Sequence, residues 1–407
     1  MRVLITLFSF GLGGTESYTA TVAEQLERLG HSVRIHAVHV GPGGAELAAA
    51  RGLRLTSGDH QIGDLAEIDA ALVQELGSAY LLARRPELRR AFVVHGLAPF
   101  ETPLVGGSGT ETPVVVLNDR MRGRIEALAP RPAPVRLRQP IDLDRFRPRS
   151  ANRRRAKRLL ALSNSIAGDR LAMLEAACAD LGLELVRVGG FECRTAAPEQ
   201  VIADADIVVG YGRSVLEAMA MGKPAYVWER WGGDGWVTPE NYASLEADGF
   251  SGSATGTIID AERLRADLAA YTPELGLLGY DLVRTHHLAT KHTEALVRLL
   301  EEAEPRQAPD HEAAEAMALM VRAHTRALGH VHGLEQEVVR LRLLVDAETE
   351  AAATARAAAE AERGRRLAAE AQLRGLVGSR SWRLTEPLRR LRPAVSRARN
   401  GARSSSS

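Results

Sequence analysis

The sequence predicts an α/β fold of two doubly wound domains in tandem, followed by a long helix and a basic tail. Three observations predict it. Apolar runs at 2–9 and 32–38 flank a glycine-rich turn and a helical period, so the chain opens with a β-α-β unit. The alternation restarts after residue 150, with strands at 158–163, 184–188, 206–209 and 224–228 and helices at 169–181 and 213–221. From residue 310 the composition turns to Ala, Glu and Arg with few Gly, which favours continuous helix. A chain of 407 residues, 45% apolar, is long enough for two ordinary cores and an appendage.

The first domain is expected to span 1–148. Its opening VLITLFSF could pass for a signal-peptide core, but it has no small-residue cleavage site and runs straight into a glycine turn, so it reads as strand. Tyr18, Val22, Leu26 and Leu29 give 15–29 one apolar face, and Gly30 ends that helix. AFVVHG (91–96) and PVVVLN (113–118) read as strands, 119–128 as helix and PRPAP (130–134) as loop. Residues 135–148 read as a strand leading into a linker. The second domain is expected over 149–284. A helix at 281–303 should cross back to the first domain, with 285–304 as the crossover itself, and Pro305 and Pro309 end the globular part.

The appendage has two parts. In 310–373, Met317, Val321, Leu328 and Val331 stand at three- and four-residue spacing. Leu334, Val338, Leu341 and Val345 resume that spacing after a three-residue slip. This is a coiled-coil seam with a stammer, and it implies a homo-oligomer through 317–345; a single solvated helix is the alternative. The tail, 374–407, carries nine Arg against one acid between Arg374 and Arg403, although 52 basic and 51 acidic residues leave the whole chain at +1. Leu388, Leu391 and Val395 would share one face of a basic amphipathic helix near Trp382, which suits an anionic membrane surface; the alternative is a solvated tail. The near-neutral balance points to no nucleic-acid partner, and no apolar run approaches 18 residues. Cys178 and Cys193 lack paired spacing, so a reducing cytoplasm is expected, with the tail at the inner face of the plasma membrane.

Two glycine turns carry the chemistry. Gly13 and Gly14 precede a helix, where bare backbone N–H groups and the helix dipole favour a phosphate; a plain structural turn is the alternative. In IADADIVVGYGRSVLEAMAMGKP (202–224), a strand ends in Gly210-Tyr211-Gly212 and a helix starts at Arg213 or Ser214. That turn offers donors to a diphosphate, Arg213 adds a bidentate charge, and the Glu217 carboxylate can accept two ribose hydroxyls. Asp204-x-Asp206 and Asp142-x-Asp144 fit a metal-binding spacing, but one flanks a buried strand and the other lies in the linker, so no metal is expected.

These segments resemble retaining glycosyltransferase family 4, whose fold is the GT-B architecture of two Rossmann-like domains. The run GGTESYTATVAEQLERLGHSVRI is similar to the family's opening, and LEAMAMGKP to the hallmark of its donor domain. PIDLDRF (140–146) is similar to its linker, and PVVVLNDRMRGRIEA to the meeting of its last first-domain strand with a helix. The resemblance implies transfer of a sugar from a nucleotide diphosphate sugar to a surface-glycan or lipid-linked acceptor, without a metal or other cofactor. It implies that Glu217 holds the ribose, that Gly210, Gly212, Arg213 and Ser214 hold the diphosphate, and that His95, Gly13 and Gly14 border the reacting sugar. The family has a second Glu eight residues before the first; here that position is Val209. The family's Lys-Gly pair is also missing, with Arg170 the nearby cation. Both departures, with the glycine- and aromatic-rich segment 232–242 as an expected donor-closing loop, mark a divergent branch. A catalytically silent scaffold in a membrane polysaccharide assembly, and a GT-B epimerase or inverting transferase, remain open. SRSWRLTEPLRRL (379–391) resembles an element found on bacterial surface-polysaccharide glycosyltransferases.

Overall fold

A computed structural model describes residues 1–384 except 59–61, 63–64, 86, 97–111, 129–132, 191–193, 230–231 and 305–310. The expected amphipathic helix of the tail, and Cys193, lie outside the described residues. The first sheet is built in the order that the opening β-α-β unit dictates: β1 (Arg2–Phe10), α1 (Gly14–Arg28), β2 (Ser32–Val40), α2 (Gly44–Ala50), β3 (Leu55–Ser57), β4 (Ala70–Val73), α3 (Leu76–Ala83), β5 (Arg89–Val94), β6 (Val114–Val116), α4 (Asp119–Leu128) and β7 (Val135–Arg136). Its seven strands are all parallel, in the order β3-β2-β1-β4-β5-β6-β7. Central strands such as β4 and β6 are buried throughout, which explains their continuous apolar runs.

The second sheet follows: β8 (Arg158–Leu162), α5 (Asp169–Leu181), β9 (Glu184–Val188), α6 (Pro198–Asp204), β10 (Ile207–Gly210), α7 (Arg213–Ala220), β11 (Ala225–Glu229) and β12 (Gly232–Trp236). Its order is β12-β11-β10-β8-β9, parallel except for β11 against β12. Helices α8 (Tyr242–Asp248), α9 (Ala261–Ala269), α10 (Glu274–His286) and α11 (Ala289–Glu302) complete it, and α12 (His311–Gly378) and α13 (Arg380–Leu384) follow.

Three elements differ from the sequence expectation, each for a local reason. The helix expected over 281–303 is two helices, because the chain extends at Leu288 to bridge Ile141 of the linker. After this break α11 does return to the first sheet, burying Leu296 and Leu300 in its core, each worth about 1.5–3 kcal/mol. The segment 232–242, expected as a loop closing on the donor, instead forms edge strand β12 and the turn after it. Asp234 accepts the Thr255 N–H, and Trp236 donates to the Asp267 carbonyl and packs on Tyr226.

The third difference concerns the end of the globular part. The chain divides into two compact units, Met1–Thr325 and Arg326–Ser407, so the first runs past the prolines expected to close it. The opening of α12 packs inside that first unit through Ala314, Ala318, Arg322 and Thr325. Arg322 is fully buried, donates to Ser78 Oγ at 3.2 Å and faces the Glu75 carboxylate at 3.8 Å. Met317 and Val321 of the expected seam are therefore not the residues that α12 buries there.

Candidate functional site

The C-terminal ends of the parallel strands of both sheets open on two adjoining cavities in the first unit, of about 780 Å³ and about 200 Å³. The larger falls within the usual range of small-molecule sites. Gly14, Tyr211, Gly212 and Arg213 line both, so the two glycine turns singled out in the sequence face the same space.

The first turn is held shut by its own acid. Gly13 caps α1 in extended backbone, and Glu16 folds back so that Oε1 accepts the Gly11 N–H at 3.3 Å. Burial raises the Glu16 carboxyl above the usual range, against the pull of the backbone donors and the Arg194 charge. A Cβ on Gly14 would meet nothing within 4 Å, so the side-chain position there is open.

The second turn is tightly built. A Cβ on Gly210 would lie 2.5 Å from Ser214 Oγ and 2.8 Å from the Leu162 carbonyl oxygen, and Gly212 has φ of +58°. Ser214 Oγ accepts the Tyr211 N–H at 3.2 Å and donates to the Tyr211 carbonyl at 2.8 Å. Gly212 N–H donates to the Phe250 carbonyl at 2.8 Å, so part of the expected donor set is internally spent. Val215 N–H donates to the Gly212 carbonyl at 3.2 Å, which leaves the Arg213 and Ser214 N–H groups at the start of α7 without an intrahelical acceptor.

Arg213 departs from its expected part. All three of its nitrogens are engaged: Nε with Glu217 Oε1 at 2.8 Å, Nη1 with the Pro140 carbonyl at 2.9 Å and Nη2 with Thr21 Oγ1 at 3.2 Å. It thus ties α7 to the linker and to α1, rather than standing free for a diphosphate. Glu217 is buried beside it and lines the smaller cavity. Burial raises the Glu217 carboxyl and lowers Arg213, and each charge opposes the other's shift.

His95, at the end of β5, lines the larger cavity. Its ring stands edge-on to Tyr18 at 4.5 Å, and its buried Nε2 has no hydrogen-bond partner among the described residues. Burial, then the His292 and Arg213 charges, lowers it to about 3, so it is neutral at physiological pH. Arg170 is not on either cavity wall; its guanidinium donates to the Ser165 carbonyl. Val209 is fully buried on β10 within the apolar cluster that includes Tyr226, so that position offers the cavities nothing.

Sequence reasoning missed several wall residues. Arg194 and Asn164 line the smaller cavity, and Asn118, Arg120 and Glu229 the larger. Asn118 and Arg120 lie in the segment PVVVLNDRMRGRIEA without being singled out there, and Asn164, Glu229 and Asn118 follow or end parallel strands, where ligands of such sheets bind. The crossings between the two sheets were missed too. His292 donates Nδ1–H to the Arg138 carbonyl and accepts the Tyr18 hydroxyl, both at 2.8 Å. His287 repeats this with the Gln139 carbonyl at 2.8 Å and the Tyr242 hydroxyl at 2.7 Å. The carbonyls can only accept, which fixes both tautomers.

The two D-x-D decoys are structural. Asp206 accepts the Lys157 and Arg158 N–H groups and pairs with Arg153; Asp142 accepts the Asp144 N–H and pairs with Arg28. Among the described residues, no cluster of metal-ligating side chains occurs, and no helix is long and apolar enough to cross a membrane.

No family model matches the chain, and no curated protein matches it. Solved structures do. A glycosyltransferase from Rickettsia africae ESF-5 aligns at 12% identity over 74% of this chain and 98% of its own, with a TM-score of 0.49. The spinosyn rhamnosyltransferase SpnG, complexed with thymidine diphosphate, aligns at 15% identity over 74% and 100%, with a TM-score of 0.47. WaaG, a glycosyltransferase involved in lipopolysaccharide biosynthesis, aligns at 16% identity over 73% and 99%, with a TM-score of 0.43.

Proposed function

We propose that the chain is a GT-B glycosyltransferase that moves a sugar from a nucleotide diphosphate sugar to a surface-glycan or lipid-linked acceptor, with retention and without a metal. The observation that carries this reading is the convergence of the Gly13-Gly14 turn and the Gly210–Glu217 turn on one pair of cavities. Those are the two segments whose sequences resemble the family most closely. In this reading Glu217 offers the ribose its carboxylate edge, one oxygen being held by Arg213. The first turn of α7 takes the diphosphate with help from Arg194, which replaces the expected Arg170. Neutral His95 and Gly14 border the transferred sugar in the larger cavity. No covalent nucleophile is named, so stabilisation of the leaving diphosphate by fixed donors supplies the catalysis.

A thermal-shift screen of UDP, GDP, ADP and dTDP sugars tests the binding half. A ligand at 100 times its Kd should add about 2.7 kcal/mol of stability. The catalytic half is tested by release of nucleoside diphosphate from the bound donor in the presence of EDTA. A second reading, a silent donor-binding scaffold, is favoured by buried Val209 and by the engagement of Arg213 with Glu217. Binding without turnover on any acceptor would select it. Membrane association through 374–403 belongs to both readings: full-length protein should sediment with anionic vesicles at low salt and release as salt rises.

A further inference from the structure

We propose that α12 pairs with the same helix of a second copy, parallel and in register, along Val331–Val345. The seam expected from 317 is available for pairing only in part. Before Thr325 the helix is spent within the first unit, burying Ala314, Ala318, Arg322 and Thr325. Beyond it, Val331, Leu334, Val338, Leu341 and Val345 are each 47–60% exposed on a helix unbroken from His311 to Gly378. They fall on one uninterrupted seven-residue frame, with Val at every first position and Leu at every fourth.

That distribution identifies the occupant. β-branched residues at the first position with Leu at the fourth favour two parallel strands over higher orders. The charges agree. In the same frame, Glu337 takes the seventh position and Arg342 the fifth position of the next heptad. His330 and Glu335 stand in the same relation one heptad earlier. A parallel pair sets the seventh position of one helix beside the following fifth position of the other, so Glu337 of one helix meets Arg342 of its partner. This pairing does not depend on what the cavities bind.

Light scattering on the full chain over a concentration series tests it. A mass of about twice 44.0 kDa is expected, and Leu334→Glu with Leu341→Glu should return it to the monomer. Both positions are exposed, so the fold of the first unit is a built-in control, read by its unchanged thermal transition. Val331→Cys should form a disulfide-linked dimer on mild oxidation, because only a parallel pair sets residue 331 against itself; an antiparallel pair sets it near 345. A monomeric mass throughout, or a dimer that survives the double Glu variant, would overturn the seam. A dimer without the 331 cross-link would overturn the parallel arrangement.

Discussion

At the level of single residues, the site's most consequential feature is the buried Arg213–Glu217 pair. Removing one partner of such a pair leaves an uncompensated charge, at a cost of about 3–5 kcal/mol. Glu217→Ala should therefore lower the denaturant midpoint strongly, whereas reading Glu217 as a surface ribose ligand would leave it in place. An unchanged midpoint would show that the pair does not form. Gly14→Val should behave in the opposite way. Its side-chain position is open and faces both cavities, so stability should move by about 1 kcal/mol or less while sugar transfer is lost and nucleotide binding persists. The sequence pointed to both residues because glycine turns and a helical Glu have recognisable spacing. It could not reveal that Arg213 is consumed, since Thr21 and Pro140 lie 192 and 73 residues away in the chain.

At the level of elements, legibility followed locality. Helix α5 matches its expected bounds because Gly168 precedes it and Gly182 ends it in a left-handed turn. The break between α10 and α11 was invisible because its cause is tertiary: the extended Leu288 pairs with Ile141. Edge strand β12 was hidden by its three glycines, which weaken any strand signal. The start of α12 was misassigned for the same kind of reason, since the acid that draws Arg322 inward, Glu75, is far off in sequence. This changes an expectation about truncation. A chain ended at 304 should lose the Arg322–Glu75 contact and be markedly less stable than one ended at 330. Arg322→Ala in the full chain should cost about 1–3 kcal/mol, because Glu75 keeps the Gly77 and Ser78 N–H groups as partners. Equal urea midpoints for the two truncated chains would contradict it.

At the level of the whole molecule, the histidines between the sheets set a pH limit. His95 and His287 are lowered to about 3 and His292 to about 4, with burial the leading cause in each. Their unfolded values lie near 6.5, so below that pH the unfolded chain binds more protons than the folded one. Stability should thus fall as pH drops from about 6.5 toward 4, by up to about 1.4 kcal/mol per pH unit for each histidine. Replacing His292 with Gln should flatten that slope, and an unchanged slope would mean that His292 is not held neutral. The two-sheet architecture itself was legible in the sequence because apolar periodicity repeats in both halves. Calorimetry with UDP, GDP, ADP and dTDP on wild-type protein and Glu217→Gln reads whether the shared cavities hold a nucleotide diphosphate sugar through Glu217. At least one nucleotide should bind the wild type, and the variant, still folded by circular dichroism, should bind it more than tenfold more weakly. Absence of binding by all four, or equal affinity in the two proteins, would contradict it.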